Sequence, residues 1–523
     1  MVINSFHFKI ETLCIMRKQL FNVSNKISNH YIIFIVFNLV SHFPFLDRNL
    51  WEMNDFRQAQ TAWAIRSFRE NGVSLNTPLP IFGQNSTLPM EFPIYQIICA
   101  ALSSLLRIDI IPAARLVSLI SFIITGILLA RLVELLVGSR NLNTLFLAVF
   151  SLTPFGFQWS HSVSIEFLAT AYGSFSLLYC AKSSASEKKI MREGFLFALA
   201  CIGMSLTFLT KITTGAVFAA IFFLLTIVRS DFSFRQLRKL TWLLPIFIGY
   251  LSGFFWNSYA NELKKTQYFG SYLTSDKMES WNFGSLNQRL EVGTYYKIIV
   301  LQWSSIVGSF LSLTILLFFL TMKRKCLNSR HQRYLRIVWL LWISVMFPIL
   351  IFTNLYFIHD YYSVAIYGFL VLILVLLVSI FFDYLTSNQS FVKNTLLPII
   401  LCLGLVSTTY GDRYFFNNYY YLTGVNSNGP AWLTDVKDRV GSSSVIFVNC
   451  NWNPVYPYYI GGQAYMLPPL INKPPASYIN DAEFLIDCKT DSNPYLYDWN
   501  EYVVSNKGKL IKLSSHLYAL LDK

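Results

Sequence analysis

Between residues 30 and 410 long apolar runs alternate with short polar stretches. The runs at 30–46, 111–137, 142–158, 163–181, 194–210, 212–228, 240–257, 296–321, 337–357, 361–382 and 394–410 are each near the length a helix needs to cross a hydrocarbon core of about 30 Å. They predict an all-α polytopic membrane protein with about eleven transmembrane helices. One further run, 92–108, is ambiguous. Its apolar part, "FPIYQIICAALSSLL", has 15 residues and would be roughly 22 Å long as a helix, so length alone does not place it.

Charge places it. If 92–108 does not cross, the loops 131–140, 182–193, 229–239 and 323–336 fall on the side of the N-terminus, and together they hold sixteen Lys and Arg. The short connections on the other face, 158–163, 209–213 and 354–360, hold one, Lys211, and the longer 258–295 holds four. This is the positive-inside pattern, which a crossing at 92–108 would invert. The N-terminus (1–29) is therefore expected in the cytoplasm, and the first outer loop (47–110) is expected to lay two interfacial helices, 55–71 and 92–108, along the outer boundary. Segment 55–71 suits such a place, with Phe56, Ala59 and Trp63 on one face and Asp55, Gln58, Arg66 and Arg69 on another; the plainer reading is an amphipathic surface helix.

From about 411 the character changes to Asn, Tyr, Pro and Asp. The short β-like runs "SSVIFVNC" and "EFLIDC", with a helix-like "NPVYPYYIGGQAY" following the first, predict a small extracytoplasmic α/β domain over 411–523. Cys450 and Cys488 both lie there, and a disulfide between them and a pair of buried free thiols are equally compatible with the sequence.

Composition agrees with a membrane protein. Of 523 residues 54% are hydrophobic and 13% charged, against about 25% charged in soluble domains. The net charge of +14 sits largely in the cytoplasmic loops and does not point to nucleic acid. The eight cysteines lack metal-ligand spacing. The first 30 residues are polar and basic and do not read as a cleavable signal.

The same topology gathers polar residues on the outer face. They are Glu52, Asp55, Arg57, Gln58 and Glu91 in the first loop, then His161 and Glu166, then Lys211, then Tyr295 and Tyr296, and finally His359, Asp360, Tyr361 and Tyr362 in "YFIHDYY". Ionisable groups beside a bilayer are costly to desolvate, so their convergence suggests a functional site. Each has a plainer alternative: Glu166 as a helix cap, Lys211 snorkelling to headgroups, His359 as an interface residue.

Six stretches then occur in order: "NDFRQAQTAWAIRSF", "MEFPIYQ", "AARLVSLISFIITGILLARLVELL", "HSVSIEFLATAYGSFSLLY", "FLTKITTGAVF" and "IHDYYSVAIYGFLVLIL". Together they resemble the GT-C integral-membrane glycosyltransferases, in particular the protein mannosyltransferases and the aminoarabinose lipid A transferases, over residues 30–410. The resemblance implies a polyprenyl-phosphate-linked sugar as donor, Asp55 as the catalytic aspartate, Glu91 and Glu166 as the acidic residues of the second interfacial helix and second outer loop, and Lys211 as a base near the lipid phosphate. The chain departs at Gln60, where many relatives carry a second acid, and at "EFP", where the lipid A transferases have "EKPP". The acceptor is therefore not carried over.

The expected chemistry follows. An acceptor hydroxyl is a poor nucleophile, and Asp55 within about 3 Å would take its proton as the new bond forms. Lys211 and Arg57 would offset the charge growing on the departing lipid phosphate, while Gln58, Glu91, His161, Glu166, Tyr295, Tyr296, His359, Asp360, Tyr361 and Tyr362 would hold substrate. One carboxylate with in-line attack implies inversion. The leaving group departs well, so no cofactor and no metal is expected. Partners would be the lipid-linked donor, a lipid, glycan or protein acceptor, and membrane lipids; the location would be the plasma (inner) membrane. A transferase or polymerase of lipid-linked oligosaccharides and a transporter or flippase of lipid-linked sugars are the other readings. The transporter fits less well, because the acids sit at span ends rather than at mid-membrane and no repeat is visible.

Overall fold

A computed structural model describes residues 29–51, 54–79, 81–83, 86–185, 190–229, 243–387, 429–441, 444–450, 453–461, 463–466, 481–488 and 508–522. Three of its helices are long and apolar enough to cross a membrane: Ile110–Val137, Ser329–Ile351 and the stretch Asp360–Tyr384. A fourth candidate is a broken pair, Val292–Val307 and Phe310–Met322, bent by 84°. Shorter apolar helices occupy Ile94–Leu106, Gly194–Thr210 and Ile212–Leu224. The expected span 394–410 and the expected cytoplasmic N-terminus 1–28 lie outside the described residues.

Several expected spans are not single helices, run 337–357 dividing at Phe352 among them. Run 142–158 divides at Thr153, where Arg140–Leu152 ends and Pro154–Ser160 begins. Proline is preorganised for a first helical turn and cannot donate to a preceding one, and the Thr153 hydroxyl accepts from Gly156 N at 3.3 Å. Run 296–321 passes from a π-helix, Tyr296–Gln302, through Ser304–Val307 to Gly308 at φ 72°, which turns the chain before Ser309 caps Phe310–Met322. Apolar periodicity does not register the breaks at Thr153 and Gly308, because both halves of each run stay apolar in sequence.

Segment 47–110, the expected first outer loop, folds as expected at one point and differently at another. Its first helix runs Asp55–Asn71. It is not an open amphipathic helix, however: Gln58, Ala59, Thr61, Ala62, Trp63, Ala64, Ile65, Ser67 and Phe68 are all buried. The reason is a second cover, the C-terminal region. There five strands, β1 (Val445–Asn449), β2 (Gln463–Met466), β3 (Phe484–Asp487), β4 (Gly508–Lys512) and β5 (Leu517–Asp522), form one sheet in the order β2-β1-β3-β5-β4. β1 pairs parallel with β2 and β3, and β5 antiparallel with β3 and β4.

Alternation along a strand sends successive side chains to opposite faces. Ile446, Val448 and Ile486 thereby join a core with Leu50, Ala59, Ile65, Phe68 and Tyr95 of the first loop, whereas Phe447, Leu485 and Leu520 form a small cluster on the other face. The loop also extends the sheet: Gly83 N donates to Ala464 O and Met466 N to Ile81 O, both at 2.9 Å, so residues 81–83 lie against the outer edge of β2. Gly83 sits at φ 111° with the Tyr465 ring where a Cβ would be, so only glycine fits. The structure joins Cys450, just after β1, to Cys488, just after β3.

Candidate active site

Asp55 opens its helix. Its Oδ1 accepts from Phe56 N at 2.7 Å, and its Oδ2 accepts from Asn453 Nδ2 at 2.9 Å. Burial raises its pKa above the ordinary carboxylate range, and these two donors pull only part of the way back. The preceding residue, Asn54, takes φ 58° and donates to Asp360 Oδ1 at 3.4 Å. That contact brings the "IHDYY" turn to the start of the Asp55 helix.

Two residues on, Arg57 pairs with Glu91 and donates to Gln60 Oε1 at 2.8 Å. Burial is the largest single influence on the Glu91 carboxyl and would raise its pKa, but the Arg57 guanidinium together with the Lys211 charge and a backbone N–H holds it below the ordinary value. The backbone around Glu91 is fixed on both sides. Trp256 Nε1 donates to Met90 O at 3.2 Å, and Phe92 N donates to Leu209 O at 3.0 Å. The second bond sets Glu91 beside the end of the helix Ile190–Thr210, where Lys211 follows.

Lys211 pairs with Glu166, and both side chains are almost wholly buried, 5% and 2% exposed. Lys211 does not reach out to headgroups, nor does Glu166 cap its own helix: the Ser164 hydroxyl accepts from Glu166 N at 3.3 Å, leaving the carboxylate to the lysine. The Lys211 ammonium also lies over the rings of Tyr362 (4.0 Å) and Tyr361 (4.7 Å), a cation–π arrangement. These rings stack at 4.7 Å, and His359 stacks on Tyr361 at 4.9 Å. Burial, then the positive charges of Lys211, Arg57 and Lys297, push His359 down to about 4, so it is neutral at pH 7. Glu166 Oε2 and Asp360 Oδ2 are buried acceptors without a hydrogen-bond donor.

The structure thus brings Asp55, Arg57, Glu91, Glu166, Lys211, His359, Asp360, Tyr361 and Tyr362 to one end of the helices. It sets four other candidates apart. Gln58 is a strut whose Oε1 accepts from Val163 N at 2.9 Å. His161 is buried among His42, Phe45 and Phe157, where desolvation lowers its pKa well below the usual value. Tyr295 donates to Arg289 O at 2.8 Å, and Tyr296 is 46% exposed on the π-helix. A side chain's face of the membrane follows from topology; which way it points does not.

Three residues join the neighbourhood from places the sequence reading had not marked. Lys264, buried near the end of Leu244–Lys265, donates to Leu273 O at 2.9 Å and feels the Glu91 charge. Lys297 lies over Phe357 at 4.0 Å and acts on His359. Asn453 holds Asp55 from 398 residues away. The two lysines stand in or beside the loop 258–295, whose basic residues served only as topological counts. A narrow crevice lined by Arg57, Gln60, Met90 and Glu91 runs beside the cluster. A more open cleft of about 470 Å³, among Asp276, Lys277, Glu279, Phe283 and Arg289, includes none of the cluster.

No family model and no curated protein matches the chain. Solved structures do. ArnT from Cupriavidus metallidurans bound to undecaprenyl phosphate superposes with a TM-score of 0.57 at 11% identity, over 93% of this chain and 97% of that one. Its apo state gives 0.56 at 10% identity, with the same shares. The mycobacterial arabinofuranosyltransferase AftD gives 0.50 at 12% identity, over 96% of this chain and 42% of that one. The chain is an integral membrane protein with the fold of the GT-C glycosyltransferases.

Proposed function

We infer that the protein is an inverting glycosyltransferase that moves a sugar from a polyprenyl-phosphate carrier to an acceptor hydroxyl on the outer face of the plasma membrane. The observation that carries this reading is the half-buried Asp55 carboxylate at the start of its helix, beside a buried set of cations and tyrosines. ArnT, a protein of the same fold, binds undecaprenyl phosphate, which fits a lipid phosphate as the leaving group here.

In this reaction the acceptor oxygen attacks the anomeric carbon while Asp55 takes its proton. The bond from that carbon to the phosphate oxygen breaks, and the electron pair leaves with the lipid phosphate. Arg57 and Lys211 stabilise the anion by sharing with it the charge they otherwise give to Glu91 and Glu166. Their carboxylate partners keep these cations in place before the donor enters, so little reorganisation is needed at the moment of transfer. Glu166 Oε2 and Asp360 Oδ2 are acceptors suited to sugar hydroxyls. Phosphate leaves without Lewis-acid help, so no cofactor is assigned.

The test is transfer by purified protein from polyprenyl-phosphate sugars, with and without a chelator; labelled acceptor product of inverted configuration at full rate in chelator is expected. Movement of the lipid-linked sugar across a vesicle bilayer with no transfer would favour a flippase instead.

Eleven spans, a cytoplasmic N-terminus and an outer domain over 411–523 complete the proposal. Native Cys326 is exposed in the basic loop, and Leu290 is 74% exposed in the loop 258–295. A membrane-impermeant thiol reagent is expected to reach a Leu290→Cys variant from outside intact cells, and Cys326 only after the inner side is opened. Labelling of both from one side would overturn the topology.

A further inference from the structure

Resting on the reading of Asp55 as the base, we propose that Asn453 of the outer domain is the positioning residue for that carboxylate, so that the active site is complete only when the outer domain is seated on the first outer loop. The geometry is specific. Asn453 Oδ1 accepts from Val455 N at 3.1 Å, which fixes the amide so that Nδ2 is the atom facing Asp55 Oδ2 at 2.9 Å. With Phe56 N on the other oxygen at 2.7 Å, both ends of the carboxylate are held. Each oxygen keeps a further lone pair for the acceptor proton.

Asn453 is itself held. Its N donates to Cys450 O at 3.2 Å, at the residue the disulfide ties to Cys488. On the far side, Trp63 Nε1 donates to Pro454 O at 3.3 Å, Arg66 Nη1 donates to Tyr458 O at 3.0 Å, and the guanidinium lies 3.9 Å from the Tyr458 ring. Upstream of Asp55, Leu50 N donates to the Tyr459 hydroxyl at 2.6 Å, and the Trp51 ring stacks on Tyr459 at 5.6 Å. The segment 453–460, the helix Val455–Ile460 and the two residues before it, therefore grips the chain on both flanks of Asp55, and Asn453 delivers one amide to the carboxylate between them. A contact that served docking alone would not need to end on that group.

Three titratable groups surround Asp55. Tyr456, on the gripping helix, feels its charge; Asp360 is reached through Asn54; and Arg57, on the same helix, is held by Glu91. Asn453 donates to the ionised carboxylate, so its removal favours the protonated form and moves the acid limb of the rate profile to higher pH.

The experiment compares Asn453→Ala and Asn453→Asp with wild type and Asp55→Asn in transfer assays across pH, with thermal melting of each variant. For Asn453→Ala a fall in kcat of about tenfold at neutral pH is expected, with donor KM unchanged and the acid limb moved upward. Asn453→Asp keeps the shape but sets a second carboxyl against the first, so its limb should move further up. An acid limb that stays in place in both variants would overturn the proposal, as would wild-type activity in both. If Asn453→Ala melts early, the isosteric Asn453→Asp supplies the decisive profile. Wild-type activity in Asp55→Asn would overturn the underlying assignment of the base instead, and this proposal with it.

Discussion

Asp55→Asn is expected to lower kcat for sugar transfer by about 10²–10⁴-fold, the range for loss of a general base, while leaving donor affinity and the melting temperature close to wild type. The amide has the shape of the carboxylate and keeps one of its two acceptors; its NH2 faces a donor, either Phe56 N or Asn453 Nδ2, at a cost of about 1 kcal/mol, which is small beside the loss of proton acceptance. A second signature accompanies it. The base must be ionised, and burial holds the Asp55 pKa above the ordinary range. Transfer by wild type should therefore fall as pH drops through a value above about 3.9, where an unperturbed Asp titrates. In Asp55→Asn the residual rate should lose this limb. A variant as fast as wild type, or one that keeps the limb, would remove Asp55 from the chemistry.

The second large effect is expected at Lys211. Lys211→Met leaves the Glu166 carboxylate buried without its cation, and breaking a buried pair in this way costs about 3–5 kcal/mol. The single variant should melt well below wild type. The double variant Lys211→Met with Glu166→Gln removes both charges and should recover most of that stability. Transfer separates structure from function. If Lys211 stabilises the leaving phosphate, the double variant folds but keeps a raised donor KM and a low kcat, with acceptor KM little changed. A double variant that is both stable and fully active would show the pair to be a structural tie alone.

The parts of this molecule legible in its sequence are those governed by local pattern. The helix Asp55–Asn71 was placed by its periodicity and by the acid that opens it. β1 and β3 are marked by short β-branched and aromatic runs; β2 is not, since its Gln463–Tyr465 continue a helix-like stretch that ends as a helix at Ile460, and neither are β4 and β5. β4 and β5 are a hairpin with lysines on its edge, "GKLIK" and "LYALLD", and have no clean alternation to read. Within the site, Arg57, Glu91, Glu166 and Lys211 gather at one end of the helices, and loop charge also groups them on one expected face. Their pairing, Arg57 with Glu91 and Lys211 with Glu166, depends on the Phe92–Leu209 backbone bond between distant segments. Gln58 and His161 meet Val163 N and the Phe157 ring rather than the cluster, because a helix offers several directions at one depth. Asn453 was invisible for the simplest reason: nothing local to an asparagine in a turn tells which carboxylate it will meet.

In the C-terminal sheet, residues 81–83 cover the rim of β2. That rim consists of unpaired amide and carbonyl groups whenever the first loop is absent, and the faces of Ile446, Val448 and Ile486 lose their cover at the same time. A soluble fragment made from the C-terminal region alone would carry a sticky border and a bare greasy face, the combination that recruits further copies into aggregates. Anyone wishing to study the domain in isolation would do better to graft the 78–90 segment onto it than to trim it more tightly.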